Sequence, residues 1–267
     1  MKDEFPFQNE LVVLTLTMPR MTAALLMSPF FSDQFIQGLA RQVVIISLTL
    51  VAVPIVAGAA GAAGPLDLGA RGPLFFATII AKEIGLGLLL GFASGLAFWI
   101  AQGTGFFIDN QRGSSMAETQ DSASGSSTSP FGLLLAKVVA VLFFVGGGFH
   151  AFLTLLYESY QLWPVLSYFP SFNPNLPTAA LGVLDSLMHF IVLFSGPLIV
   201  AMFLAEFGLG LMNRFSPQLN VFSLAMAVKS GVAAVLIILY LGMLVGLLRG
   251  QFVNREKMQV FLQSLFS

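Results

Sequence analysis

Six charged side chains stand within or beside strongly apolar stretches of this chain: Lys82, Glu83, Lys137, Asp185, Glu206 and Lys229. Placing such a group in hydrocarbon costs about 2.5–3.5 kcal/mol on insertion scales, so each needs a polar partner or access to water. His189 follows Asp185 by one helical turn, and an i,i+4 pair of this kind can relay protons. The same spacing also suits a mutually satisfied structural contact. Two classes of protein fit these charges. One is an ion-coupled transporter whose acids carry protons. The other is an assembly subunit whose charges pair across subunits or line an aqueous conduit.

Other chemistry finds little support. His150 and His189 are the only histidines and belong to no metal-spaced cluster with acids. The serines of 122–129 have no histidine near them in sequence and no nucleophile-elbow pattern. Gly146–Gly148 lies in an apolar run, where a phosphate-cradling loop is a poor reading. With no cysteine there is no disulfide, thiolate site or cysteine nucleophile. No enzymatic activity and no cofactor is expected, and a net charge of −1 gives no reason to expect a nucleic-acid partner.

The elements that must hold these charges are long and apolar. Of 267 residues, 57% are hydrophobic and 9% charged, against about 25% charged in an ordinary soluble domain. Most of the chain therefore faces lipid or other helices. Six segments approach the roughly 20 residues needed to cross a bilayer: 11–31, 43–63, 74–101, 131–157, 179–212 and 219–249. The first carries Pro19 and Arg20. The fifth exceeds a single span and reads either as one kinked helix or as two helices meeting near Ser195–Pro197. The expected fold is all-α, a polytopic set of helical hairpins with six hydrophobic segments and up to eight helices. The N-terminus lacks a basic region and a small-residue cleavage site, so no cleaved signal peptide is expected. With six spans, Lys2, Arg71, Arg249, Arg255 and Lys257 share one side against Arg41, Arg112 and Arg214, leaning toward a cytoplasmic C-terminus.

Two further patterns stand out. Gly87, Gly91 and Gly95 recur at every fourth residue, as do Gly242, Gly246 and Gly250, and such spacing opens a flat groove for a neighbouring backbone. Between apolar runs lies "GFFIDNQRGSSMAETQDSASGSSTSPFG", far longer than a simple connection requires. Hence a division into N-terminal hydrophobic hairpins (1–104), a polar loop (105–130), C-terminal hairpins (131–250) and a tail (251–267). In the tail Phe252, Met258, Phe261, Leu262 and Leu265 share one helical face, an amphipathic pattern suited to a membrane surface or a partner.

At "FFIDNQRGSSMA" (106–117) and "LMNRFSPQLNVFSLAMAVKSG" (211–231) the chain closely resembles the FliR/SpaR/SctT family of inner-membrane export-apparatus proteins of bacterial type III secretion. The resemblance extends over essentially the whole chain. Flagellar members usually carry a "GLQMG"-like central motif and an "NRMAPQLSIF"-like later one, so "IDNQRG", "LNVF" and "VKSG" resemble the injectisome branch. The chain departs at Ser122, where the family often has proline, and at Ser216, where it often has alanine.

The resemblance implies a subunit of a helical, cone-shaped export gate partly raised toward the periplasm. One copy would join about five copies of one small membrane subunit and about four of another, as heterologous contacts can build an open helix. Further partners implied are the autoprotease switch subunit, the large export-gate subunit, membrane lipid and, transiently, unfolded secreted proteins. Ion-motive force and a separate ATPase would energise transport. The loop would project into the lumen and plug it at rest, which implicates Phe106, Phe107, Asp109, Asn110, Gln111, Arg112, Gly113, Met116, Glu118, Asp121, Gly125 and Pro130. Asp109 and Arg112, three residues apart, can pair and anchor the loop base. Around Pro217 a helix would break and restart, with Asn213, Arg214, Gln218 and Asn220 supplying hydrogen bonds and Lys229 facing partners or the wet centre.

Overall fold

A computed structural model describes residues 6–32, 36, 38–62, 72–113, 129–167, 176–215 and 221–252. Among them are seven α-helices: α1 (Pro6–Met27), α2 (Gly38–Ala62), α3 (Pro73–Arg112), α4 (Pro130–Val145), α5 (Gly148–Leu162), α6 (Leu176–Phe215) and α7 (Val221–Phe252). A single 3-10 turn, Pro29–Phe31, follows α1. The all-α expectation holds, with no strand among the described residues. Four helices are long and apolar enough to cross a membrane: α2, α3, α6 and α7. The broken pair of α4 and α5 makes a fifth if counted as one span. The first apolar segment yields only a shorter apolar helix, Val12–Met27.

Of the two readings of the fifth segment, one helix holds and a break near Ser195–Pro197 does not. α6 runs unbroken through Pro197, and the hydroxyl of Ser195 donates back to the carbonyl of Ile191 at 2.8 Å, a local adjustment common where helices bend. The fourth segment breaks instead, because Gly147 takes a left-handed φ of 77° between α4 and α5, a conformation that glycine adopts without steric cost.

The chain folds into two compact units interleaved along the sequence. Among the described residues, one comprises those up to Leu96 with those from Gly147 to Leu176; the other comprises those from Ala97 to Gly146 and from Pro177 to Phe252. In the first unit α1 packs on α2 and on the N-terminal part of α3. Phe30 lies edge-on to Phe152 at 5.3 Å, and Met21, Ala24, Leu25 and Ile79 are buried. Gly87 and Gly91 let α3 meet α1 backbone to backbone: a methyl group at either would overlap the carbonyl of Arg20 or Ala24. Gly95 is also buried. In the second unit Phe98 stacks edge-on with Phe143 at 5.5 Å, over a core that includes Ile100, Ile108, Leu135, Phe194 and Met202. Gly242 and Gly246 on α7 face open space, so that groove is unfilled by the chain's own described residues. Gly250 also belongs to α7.

Candidate functional site

The buried charges of the first unit form one centre. Arg20, from the middle of α1, is completely enclosed and grips Glu83 of α3 with two nitrogens, Nε to Oε2 at 2.7 Å and Nη2 to Oε1 at 2.8 Å. Its remaining hydrogens reach the C-terminal end of α5. Nη1 donates to the carbonyl of Ser159 at 2.8 Å and to its hydroxyl at 3.1 Å, and Nη2 donates to the carbonyl of Trp163 at 2.9 Å. The guanidinium lies over the ring of Tyr160, 4.3 Å from its centroid. Lys82 donates to the carbonyls of Val165 and Ser167 at 2.8 and 2.9 Å and approaches Glu83 at 3.0 Å. Two cations at a helix C-terminus complement the partial negative charge of its unsatisfied carbonyls. Lys82 and Glu83 are thus joined by Arg20, which sequence reasoning noted without assigning a partner. Its signal was an arginine inside an apolar helix, a group that must be satisfied somewhere.

The second unit contains the mouth of the polar loop. Gly113, with φ of 83°, ends α3, and its amide donates to the carbonyl of Asn110, the left-handed glycine stop common to helices. On the other side Ser129 caps α4 and Pro130 takes the first helical position, an arrangement suited to a helix start. These two ends are bound together. Asp109, only 3% exposed, accepts through Oδ2 from the amide of Phe131 at 2.9 Å and from the hydroxyl of Ser129. The Ser129 oxygen in turn accepts from the amide of Gly132 at 2.9 Å. Arg112 Nε sits 2.6 Å from Asp109 Oδ1, off the angle of a directed hydrogen bond, so this contact is ionic. The same guanidinium covers the ring of Phe131 at 4.6 Å.

Below this mouth Gly105 of α3 touches the backbone of Gly132 in α4 so closely that a methyl group on Gly105 would overlap it. Neither glycine belongs to the fourth-residue repeats that drew attention in the sequence, and Ser129 and Phe131 also escaped it. Phe106, Phe107, Asn110 and Pro130 are exposed beside the mouth, with Gln111 half-buried. Met116, Glu118, Asp121 and Gly125 lie outside the described residues, as does the tail beyond Phe252.

The other singled-out residues are dispersed. Asp185 and His189 are both exposed on α6, and no hydrogen bond or ion pair joins them; the imidazole lies edge-on to Phe190. Lys137 is exposed on α4. Lys229 of α7, 8% exposed, pairs with Glu206 of α6 at 3.1 Å. α6 ends at Phe215 with Asn213 and Arg214 exposed in its last turn, and α7 begins at Val221. Pro217, Gln218 and Asn220 fall between them, outside the described residues.

Several apolar helices and polar groups spent on tying helices together define a multi-pass helical membrane protein. The comparisons with known proteins make this specific. The family described as bacterial export proteins, family 1, matches residues 11–254, and the chain belongs to it. It is 39% identical over 234 residues to Yop proteins translocation protein T of Yersinia pestis, covering 87% of each chain. It is 32% identical over 212 residues to surface presentation of antigens protein SpaR of Salmonella typhimurium, covering 79% of this chain and 76% of that one. Flagellar biosynthetic protein FliR of Bacillus subtilis is 28% identical over 173 residues, covering 64% and 66%. The membership expected from the two quoted motifs is established, and identity is higher to the first two relatives than to the flagellar one.

Proposed function

We propose that this chain is a subunit of the export gate of an injectisome-type secretion system in the bacterial inner membrane. In this reading it assembles with the two small gate subunits, the switch subunit and the large gate subunit. It conducts unfolded proteins and performs no catalytic step. The relatives named for Yop translocation and antigen presentation support the system. The unfilled Gly242 and Gly246 face and the exposed apolar side chains of α6 and α7 suit contact with partners or lipid.

Within the gate, residues 109–130 narrow the path at rest. The observation that carries this is the mouth: Asp109, in the last turn of α3, holds Ser129 and Phe131 at the start of α4, so the two helices bordering a long polar segment are tied together. Serines and glycines there can hydrogen-bond with water and constrict a pore without gripping a passing chain. Deleting part of 113–128 is expected to raise the conductance of the membrane to ions once the gate is assembled. An assembled gate with that deletion and wild-type conductance would remove the plug from this reading. The alternative of an independent ion-coupled transporter has less to rest on, because Asp185 and His189 make no relay contact.

A further inference from the structure

The contacts at the mouth are redundant, and this redundancy bears on how the path opens. α4 needs a partner for its first amides, which have none within the helix. Asp109 supplies a nearly buried carboxylate from α3 for that purpose, favoured there by the positive end of the α4 dipole. Ser129 both donates to Asp109 and accepts from Gly132, and linked bonds of this kind strengthen one another. Arg112 balances the charge and covers Phe131. Gly105 and Gly132 remove the side chains that would otherwise hold the two backbones apart. Parting α3 from α4 here would break all of these together and strand a carboxylate in a nearly closed site.

We propose that Asp109 is the positioning residue of a clasp that stays shut during export. The end of α3 and the start of α4 then move as one body, and opening of the path does not separate them. This rests on the plug reading above and adds that the base of the plug is permanent.

The chain has no cysteine, so within it an introduced pair can form no other disulfide. Asp109→Cys combined with Ser129→Cys replaces the clasp by a disulfide when oxidised and removes it when reduced. In the assembled gate the pair is expected to oxidise readily, and secretion is expected to continue in the oxidised state. Reduction should then raise resting ion leak about tenfold, the factor that loss of one charge-assisted hydrogen bond produces. Secretion blocked by oxidation and restored by a reductant would show that the mouth must part, overturning the proposal. So would an identical leak in both states.

Asp109→Asn provides an independent check that preserves size. It should leak more than the wild type while gate assembly stays normal. Assembly lost in parallel with tightness would make Asp109 merely structural. The loop deletion separates the two claims: if it leaves the membrane tight, the plug reading fails, while a cross-linked gate that still secretes leaves the clasp standing.

Discussion

Two ion pairs in this chain use the same chemistry in opposite settings. Arg20 and Glu83 are both fully enclosed, share two contacts of 2.7 and 2.8 Å, and have the remaining guanidinium hydrogens taken by α5. Lys229 and Glu206 share one contact of 3.1 Å, and the carboxylate side chain is 49% exposed. The first pair is completed by its own chain and belongs to the fold of the first unit. The second is completed only in part, so one of its groups is available to whatever borders α6. Charges within apolar helices are therefore of two kinds here, distinguished by how much of their coordination the chain itself supplies.

The sharpest way to break this comparison is at Arg20. Removing one partner of a buried pair costs about 3–5 kcal/mol, because the other charge stays behind unpaired. Arg20→Met would leave Glu83 enclosed beside Lys82 alone and uncap the end of α5. The folded chain should largely disappear from membranes, and any extracted assembly should melt at much lower temperature. Adding Glu83→Met should recover part of the loss, since no carboxylate would then be stranded. A single Arg20→Met protein present at wild-type level would mean that the enclosed pair does not hold the first unit together.

Smaller effects are expected at the glycines, where the same distinction recurs. Gly87 lies against the α1 backbone, whereas Gly242 faces open space. Gly87→Ala forces α1 and α3 apart, and overpacking of this kind costs about 1–3 kcal/mol. Gly242→Ala meets no neighbour and should stabilise by about 0.5–1 kcal/mol, because alanine loses less backbone freedom than glycine within a helix. Thermal melting of the two variants in detergent compares them directly. Equal losses would mean that the α7 face is covered and that the two glycine repeats play one role.

Much of this arrangement was legible because it depends on local sequence. The apolar segments and the Asp109–Arg112 pair follow from spacing along one element. The partner of Arg20 did not, because Glu83 lies 63 positions away and nothing in the order of residues joins α1 to α3. Gly105 and Gly132 form a close crossing from two different helices, so no repeat within either helix announces it. Ser195–Pro197 suited either one kinked helix or a break, and α6 runs through it as one helix, while a break occurs at Gly147, where the backbone needs a positive φ. Interleaving of the two units is invisible in hydropathy for the same reason: α3 supplies both units with one continuous apolar helix.

The smallest effect on the chain itself is expected at Glu206. Glutamine keeps a carbonyl oxygen near Lys229, and a half-exposed ion pair contributes at most about 1 kcal/mol. Glu206→Gln should therefore leave the melting of the chain nearly unchanged. If the open side of this carboxylate meets partner subunits, the same variant should lower recovery of the assembled gate, and Asp185→Asn, exposed on the same helix, should do likewise. Secretion per assembled gate, measured across pH, should keep the wild-type profile in both. A shifted profile with normal assembly would make these acids proton carriers, and the exposed pair would then differ from the enclosed one in function as well as in burial.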